Sequence, residues 1–172
     1  MLGCSDAHVT VQSYIDPAKG EHRTMTLVFA KERTAESIRE ALDNRRTAVY
    51  WKDFILGEEQ WIRPILEKSL VVRSITLATP APGSSQGRRC AIVLKNNSGL
   101  VFHLKKIVPG VKPVYLREYT VKPHGQTTID VGPPDETGSS EVLFQITNFL
   151  TTPETPLAYI VKIPANIPAR KP

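Results

Sequence analysis

Residues 23–51, RTMTLVFAKERTAESIREALDNRRTAVYW, contain the sequence patterns of two kinds of secondary structure in succession. Residues 24–30 are almost wholly apolar, which is typical of a short strand that is buried on both faces. Thr34 is a suitable N-cap for a helix. Apolar residues follow it at helical spacing, namely Ala35, Ile38, Ala41 and Leu42. Residues 47–51 again have strand character, so the stretch predicts a strand, a helix and a second strand.

A second helix is predicted after Gly57, where apolar residues recur at helical spacing behind two glutamates. Pro64 lies inside this segment and is expected to begin a new turn or to kink the helix. Residues 71–77 return to strand character. A strand–helix–strand unit of this length normally forms a right-handed crossover in a parallel sheet. Residues 1–77 are therefore expected to form an α/β segment, with residues 1–20 poorly anchored.

The pattern changes at residues 78–87, ATPAPGSSQG, which are expected to be a linker. Beyond it, strand-like segments alternate with turn residues. Three hairpins are predicted, pairing residues 90–95 with 100–107, 114–121 with 126–131, and 141–150 with 157–163. Apolar Phe102 and Leu104 alternate with polar His103 and Lys105. Residues 88–165 are therefore predicted to form an antiparallel Ig-like β-sandwich, followed by a tail at 166–172, and the fold class is α+β.

The composition is that of an ordinary globular protein, with 41% hydrophobic and 23% charged residues. The net charge of +5 comes from scattered basic doublets and not from a patch interleaved with aromatic residues, so nucleic-acid binding is not expected. No apolar run approaches the roughly 18 residues that a membrane span needs. Cys4 and Cys90 could pair but have no disulfide-framework spacing.

Ser5-Asp6-Ala7-His8 places a carboxylate and an imidazole two residues apart. On an extended chain these side chains point to the same side, so both could reach one metal cluster. They are ligand types suited to zinc, manganese or iron. His22 lies close enough in sequence to assist them. The alternative is that His8 is a surface histidine of a loose terminus and that His22 is a loop residue.

The preceding residues, Leu2-Gly3-Cys4, permit a further interpretation, because with the following serine they resemble the lipid-attachment end of a bacterial signal peptide. A charged start and an apolar stretch would have to precede them. This interpretation therefore requires a longer precursor that has been cut.

Two of these stretches together resemble the closing segment of the PHP family (polymerase and histidinol phosphatase), which are metal-dependent phosphoesterases on a distorted β/α barrel. Residues 5–8, SDAH, resemble the family's last metal-binding motif, an Asp-x-His at the end of a strand. Residues 23–51 are similar to the strand–helix–strand that follows that motif. The whole chain is similar in outline to exported bacterial members of the family that append a sandwich domain after the barrel.

This resemblance implies that residues 1–77 are a strand–helix–strand–helix fragment of a β/α barrel, and that Asp6 and His8 are metal ligands. The family's His-x-His pair and its remaining ligands have no counterpart in this chain. The expected protein is therefore a C-terminal remnant, from a truncated gene or a shortened chain, that binds no metal and is inactive alone. The missing N-terminal barrel portion, or a second copy of the chain, is expected to cover residues 24–30. The implied location is extracytoplasmic, either periplasmic or exported.

Two function classes remain open. The first is a metal-dependent phosphoesterase that is active only with the missing barrel present. The second is a non-catalytic binding or scaffold module, in which the Ig-like sandwich contacts a partner or a polymer. Four aromatic residues could form a sugar-binding platform, although at this spacing they are more often core residues: Tyr50, Trp51, Phe54 and Trp61.

Overall fold

The computed structural model describes residues 1–4, 8, 15–16, 18, 21–78, 89–108, 117–132, 140–164 and 167. The predicted linker, apart from Ala78, lies outside these residues. The described residues form ten strands and two helices, in the order β1 (Met25–Val28), α1 (Ala35–Asp43), β2 (Thr47–Trp51), β3 (Phe54–Gly57), α2 (Glu59–Ser69), β4 (Leu70–Ala78), β5 (Arg89–Asn96), β6 (Phe102–Ile107), β7 (Glu118–Val121), β8 (Gln126–Val131), β9 (Ser140–Thr152) and β10 (Thr155–Ile163).

The chain divides into two compact units. Unit 1 comprises Met1–Leu66 and Asn148–Leu157, and unit 2 comprises Glu67–Thr147 and Ala158–Pro172. Each unit is therefore built from two separate stretches of the chain.

In unit 1, the first three strands form an antiparallel sheet. β1 pairs with β2, and β2 pairs with β3 across the two-residue turn Lys52-Asp53. The end of β9 then pairs in parallel with β3, with Ile55 opposite Phe149 and Leu56 opposite Leu150.

The prediction that residues 1–77 form a fragment of a β/α barrel is wrong, because the protein is mostly β-sheet and β1 and β2 are antiparallel. The chain leaves the end of β1 and returns to that same end, where the Phe29 amide donates a hydrogen bond to the Arg46 carbonyl at 2.9 Å. Arg45, at φ 57°, turns the chain into β2. The helix thus lies within a β-hairpin connection and does not form a crossover. β1 is also an edge strand, and none of its four residues is buried, so the expectation of burial on both faces is wrong as well.

Both predicted helices are confirmed. The Thr34 hydroxyl oxygen accepts a hydrogen bond from the Ser37 amide at 3.2 Å, which caps α1 as its position in the sequence predicts. Pro64 lies inside α2, and the helix continues beyond it to Ser69.

Unit 2 contains two antiparallel sheets, as an Ig-like sandwich requires. One has the order β4-β5-β8, and in the other β6 pairs with both β7 and β9, while β10 pairs with β9. Both sheets contribute fully buried apolar side chains, among them Ile92, Leu94, Ile129, Phe102, Leu104 and Phe144. The predicted alternation in β6 is confirmed. β4, which covers the strand predicted at the end of the α/β segment, pairs with β5 in this unit.

Of the three predicted hairpins, the last is confirmed, since β9 pairs with β10. The first two are wrong, because β5 pairs with β8 and β6 pairs with β7. The buried Asn96 side chain explains the first error. Its amide nitrogen donates to the carbonyls of Leu100 and Lys122, and its amide oxygen accepts from the Ser98 amide at 2.9 Å. These bonds fix the conformation of the loop after β5, and β6 beyond it pairs in the other sheet.

Gly57 supplies a test of how unit 1 packs. A Cβ atom at this position would lie 2.8 Å from the Ala48 Cβ and 3.0 Å from the Ile62 Cγ2, whereas a Cβ at Gly99 would meet nothing within 4 Å. Gly57→Ala is therefore expected to destabilise the protein by about 1–3 kcal/mol through overpacking. Gly99→Ala, the matched control, is expected to change stability little. Urea unfolding of both variants measures the difference, and equal stabilities would contradict this packing.

Candidate functional site

In the described part of unit 1, helix α2 packs on one face of the sheet and α1 borders the edge of the other face. Between β1 and β2, Val28 lies opposite Thr47 and Thr26 opposite Val49. Between β2 and β3, Val49 lies opposite Leu56 and Trp51 opposite Phe54. Directly paired residues, and alternate residues of one strand, point to the same side of a sheet. We call this side the open face, and its residues are Thr24, Thr26, Val28, Thr47, Val49, Trp51, Phe54 and Leu56.

The opposite side of the sheet is covered by α2. Ala48 and Ile55 on that side are 0% and 1% exposed, and Ile62 of α2 is fully buried. The close approach of Ile62 to Gly57 places the helix directly on the sheet. Trp61 of α2 stacks on Phe29, with ring centroids 5.8 Å apart. Unit 1 therefore buries the side under α2, whereas the other side is partly accessible: Trp51 is exposed, Val49, Phe54 and Leu56 are half-buried, and Thr47 is buried.

Three grooves are described on the open face and at its edge, and the largest of these three has a volume of about 520 Å³. Its lining residues are Thr24, Val49, Trp51, Phe54, Leu56, Leu150 and Pro153. Trp51 is 49% exposed, and its ring lies 5.9 Å from the Phe54 ring between centroids. All the lining side chains except Thr24 are apolar, so the groove suits an apolar surface better than a charged small molecule.

Two smaller grooves border the open face. One, of about 420 Å³, is lined by Met1, Leu2, Leu42, Arg45 and Thr47. The other, of about 440 Å³, is lined by Val28, Ala30, Lys31, Glu32, Arg33 and Ile38. Because Thr47 and Val28 are paired residues of the open face, both grooves lie along its edge beside α1.

Residues 1–3 lie directly on the open face. The Thr47 hydroxyl donates a hydrogen bond to the Met1 carbonyl at 2.6 Å. The Gly3 amide donates to the Thr26 hydroxyl oxygen at 2.9 Å, and that hydroxyl donates to the Gly3 carbonyl at 3.0 Å. A Cβ atom at Gly3 would lie 2.8 Å from the Val49 Cγ1, so the backbone here touches the sheet surface.

The charged residues around these grooves are mainly cationic. Lys31, Arg33 and Arg45 line the two smaller grooves, and the Lys52 Nζ lies 4.8 Å from the centroid of the Trp51 ring. Glu32 is the one carboxylate residue that lines any of the three grooves. We call these four cations the basic rim of the open face.

The His22 side chain contacts the turn between β2 and β3. Its Nδ1 lies 2.7 Å from the Arg23 carbonyl oxygen, and its Nε2 lies 2.7 Å from the Lys52 carbonyl oxygen. Lys52 is in the left-handed region, at φ 52°. The His22 ring lies 4.0 Å from the Tyr50 ring between centroids. Burial, with a smaller contribution from Asp53, raises the pKa of the Tyr50 phenol above its ordinary value, so this phenol is neutral at physiological pH.

The structure does not test the residues predicted to bind metal. Asp6 lies outside the described residues, His8 is exposed, and both ring nitrogens of His22 face backbone carbonyls. Within the described part of the chain, no three histidine, cysteine or carboxylate side chains come together as a metal site would require. The metal-ligand role of Asp6 and His8, and the auxiliary role of His22, stay predictions.

The four aromatic residues considered as a sugar platform occupy three different places. Trp51 and Phe54 are on the open face, Tyr50 contacts His22, and Trp61 stacks on Phe29. They therefore do not form one platform.

Among the helices of the described ranges, none combines the length and the apolar character that crossing a membrane demands.

Residues 75–162 match the model of an Ig-like domain family, DUF5001. This span is slightly more than half of the 172-residue chain. The chain belongs to this Ig-like domain family. The matched span contains strands β5 to β9 in full, most of β10 and the last four residues of β4, so the family assignment covers most of the sandwich of unit 2.

A solved structure resembles almost the whole chain. It is a two-domain protein containing a predicted PHP-like metal-dependent phosphoesterase from Bacteroides vulgatus ATCC 8482. The sequence identity is 39% and the TM-score is 0.77, over 95% of this chain and 45% of that one. The Ig-like chain thus spans less than half the length of that protein. No curated protein matches this chain.

Strand β3 and the residues that complete the largest groove were not predicted from the sequence. A signal for β3 was present, since Val49 and Trp51 alternate before the Lys52-Asp53 turn and Phe54 and Leu56 alternate after it. Leu150 and Pro153 had no such signal, because they come from a distant part of the sequence.

Proposed function

We propose that this chain is the C-terminal, Ig-like part of a bacterial PHP-like metal-dependent phosphoesterase and that it is inactive on its own. The observation that carries the proposal is the 39% identity with the two-domain Bacteroides vulgatus protein over 95% of this chain. The SDAH motif at residues 5–8 supports it, because it resembles a metal-binding motif of the PHP family.

A complete metal centre does not fit the residues of this chain alone. Asp6 and His8 supply at most two ligands, whereas catalytic zinc sites ordinarily have three protein ligands and an open position. The described residues add no cluster that could complete such a set. A zinc, manganese or iron site would therefore need ligands from outside this chain, and we derive no catalytic step from it.

We also propose an extracytoplasmic location, either periplasmic or exported. Its support is the resemblance to exported family members that carry a sandwich domain after the barrel. Protease treatment of intact cells is the corresponding measurement, and complete protection of the protein would contradict exposure at the cell surface.

A second candidate function is a non-catalytic Ig-like binding or scaffold module of an exported bacterial protein. The family match over residues 75–162 favours it, because this match concerns the sandwich and not the metal motif. The two candidates differ in whether the chain belongs with a phosphoesterase domain.

The reading frame upstream of codon 1 distinguishes the two candidates. If the chain is part of a phosphoesterase, the frame is expected to continue upstream into the family's His-x-His pair. Genomic sequencing measures this directly. An in-frame stop codon followed by a genuine start would contradict the phosphoesterase proposal and favour the independent module.

The isolated chain is expected to retain no stoichiometric metal and to hydrolyse p-nitrophenyl phosphate only at background with added Mn²⁺ or Zn²⁺. Asp6→Ala and His8→Ala are therefore expected to change neither this background nor the stability of the protein. The matched control is Asp130→Ala, which removes an exposed carboxylate from β8 of unit 2. Metal analysis and a hydrolysis assay give the readout. About one equivalent of metal together with hydrolysis that Asp6→Ala abolishes would contradict the proposal.

A further inference from the structure

The open face of unit 1 presents a partly exposed apolar groove beside the part that residues 1–3 cover. Val49, Trp51, Phe54 and Leu56 lie side by side on two paired strands, and Leu150 and Pro153 extend the same groove. Soluble monomeric proteins rarely expose large contiguous apolar patches, and those that do often use them for binding. Helix α2 covers the opposite side of this sheet, so the two sides of the sheet in unit 1 differ in how much apolar surface they expose.

Helix α1 extends this apolar surface. Ile38 and Leu42 are one helical turn apart and therefore lie on the same side of α1. They are 42% and 41% exposed, and each lines one of the two grooves at the edge of the open face. The Thr34 cap and the Arg45 turn fix both ends of α1, so the two residues are presented by an ordered helix.

We infer that the open face, with Ile38 and Leu42, is the docking surface for the phosphoesterase domain of a two-domain protein. This inference rests on the proposed function. The similar Bacteroides vulgatus protein has more than half of its length outside the part that this chain matches, and it contains a predicted PHP-like metal-dependent phosphoesterase. A neighbouring domain in the same protein would therefore be available to cover the face.

The basic rim favours a different domain over a second copy of the chain as the occupant. In a two-fold symmetric dimer the same patch faces itself, so the basic rim of one copy would face the basic rim of the other. Juxtaposed like charges disfavour association. The structure instead fits a partner surface that is apolar at its centre and carries carboxylates at its border.

Trp51 is the expected anchor of this contact. It is the more exposed of the two aromatic residues that line the groove, it is half exposed, and Lys52 lies over its ring. Exposed tryptophans in such positions commonly contribute most to an interface, because they bury a large area with little loss of conformational freedom.

The experiment compares this chain alone with a chimera in which it replaces the matched segment of the Bacteroides vulgatus protein. Each form is made as wild type, as Trp51→Asp, and as Ile160→Asp. Ile160 is the matched control, because it is 52% exposed in β10 and lies outside unit 1. The readouts are thermal unfolding, light scattering and metal-dependent hydrolysis of p-nitrophenyl phosphate.

Trp51→Asp is expected to leave the Tm of the isolated chain nearly unchanged and to lower the Tm of the chimera by several degrees. Ile160→Asp is expected to have little effect in either form. Equal effects of Trp51→Asp in both forms would overturn the inference, and so would an isolated dimer that Trp51→Asp dissociates. A chimera that does not fold would also count against it, because the inference requires this face to be complementary to that domain.

These outcomes separate the docking surface from the proposed function. A chimera that hydrolyses phosphoester but is insensitive to Trp51→Asp overturns the docking surface alone. A chimera that Trp51→Asp destabilises, but that has no metal-dependent hydrolysis, supports the docking surface and contradicts the proposed function.

Discussion

Unit 1 depends on the return of the chain to β3 after about ninety residues of sequence. The end of β9 pairs in parallel with β3, and the fully buried Phe149 lies opposite Ile55. The Asn148 side-chain amide, also fully buried, donates a hydrogen bond to the Asp53 carbonyl at 2.7 Å. Without this return, β3 would be an edge strand and the largest groove would lose Leu150 and Pro153. The entropic cost of closing a loop grows only slowly with its length, so a small set of buried contacts can hold such a distant segment.

This constraint determines what each side of the sheet can do. The side that carries Ala48 and Gly57 is occupied by α2, because Gly57 has no side chain and lets Ile62 approach the strand. Stability on that side comes from burial, so the opposite side is available for another purpose. The open face combines exposed apolar side chains with the basic rim, which is the pattern of a surface used for recognition. The Ig-like sandwich of unit 2 buries apolar residues from both of its sheets and has its own core.

Local features of the sequence predicted most of the individual elements. The Thr34 cap with its apolar spacing predicted α1, and the alternation at Phe102 and Leu104 predicted β6. Strand partners were harder to predict, because periodicity reports which side of a strand is buried and not which strand lies beside it. Two wrong predictions are of this kind: the parallel crossover between β1 and β2, and the hairpin across the loop that begins at Asn96. The full lining of the groove on the open face was missed for the same reason, since only the β3–β9 pairing brings Leu150 and Pro153 to it.

The parallel pairing of β3 with β9 is the most direct test of the account. In an NMR spectrum of the isolated chain, we expect NOEs between Ile55 and Phe149 and between Leu56 and Leu150, together with those between Leu27 and Ala48 across β1 and β2. The antiparallel pair is the internal control for folding of unit 1. If the NOEs between β1 and β2 are present and those between β3 and β9 are absent, the groove is not formed as described and the account is contradicted.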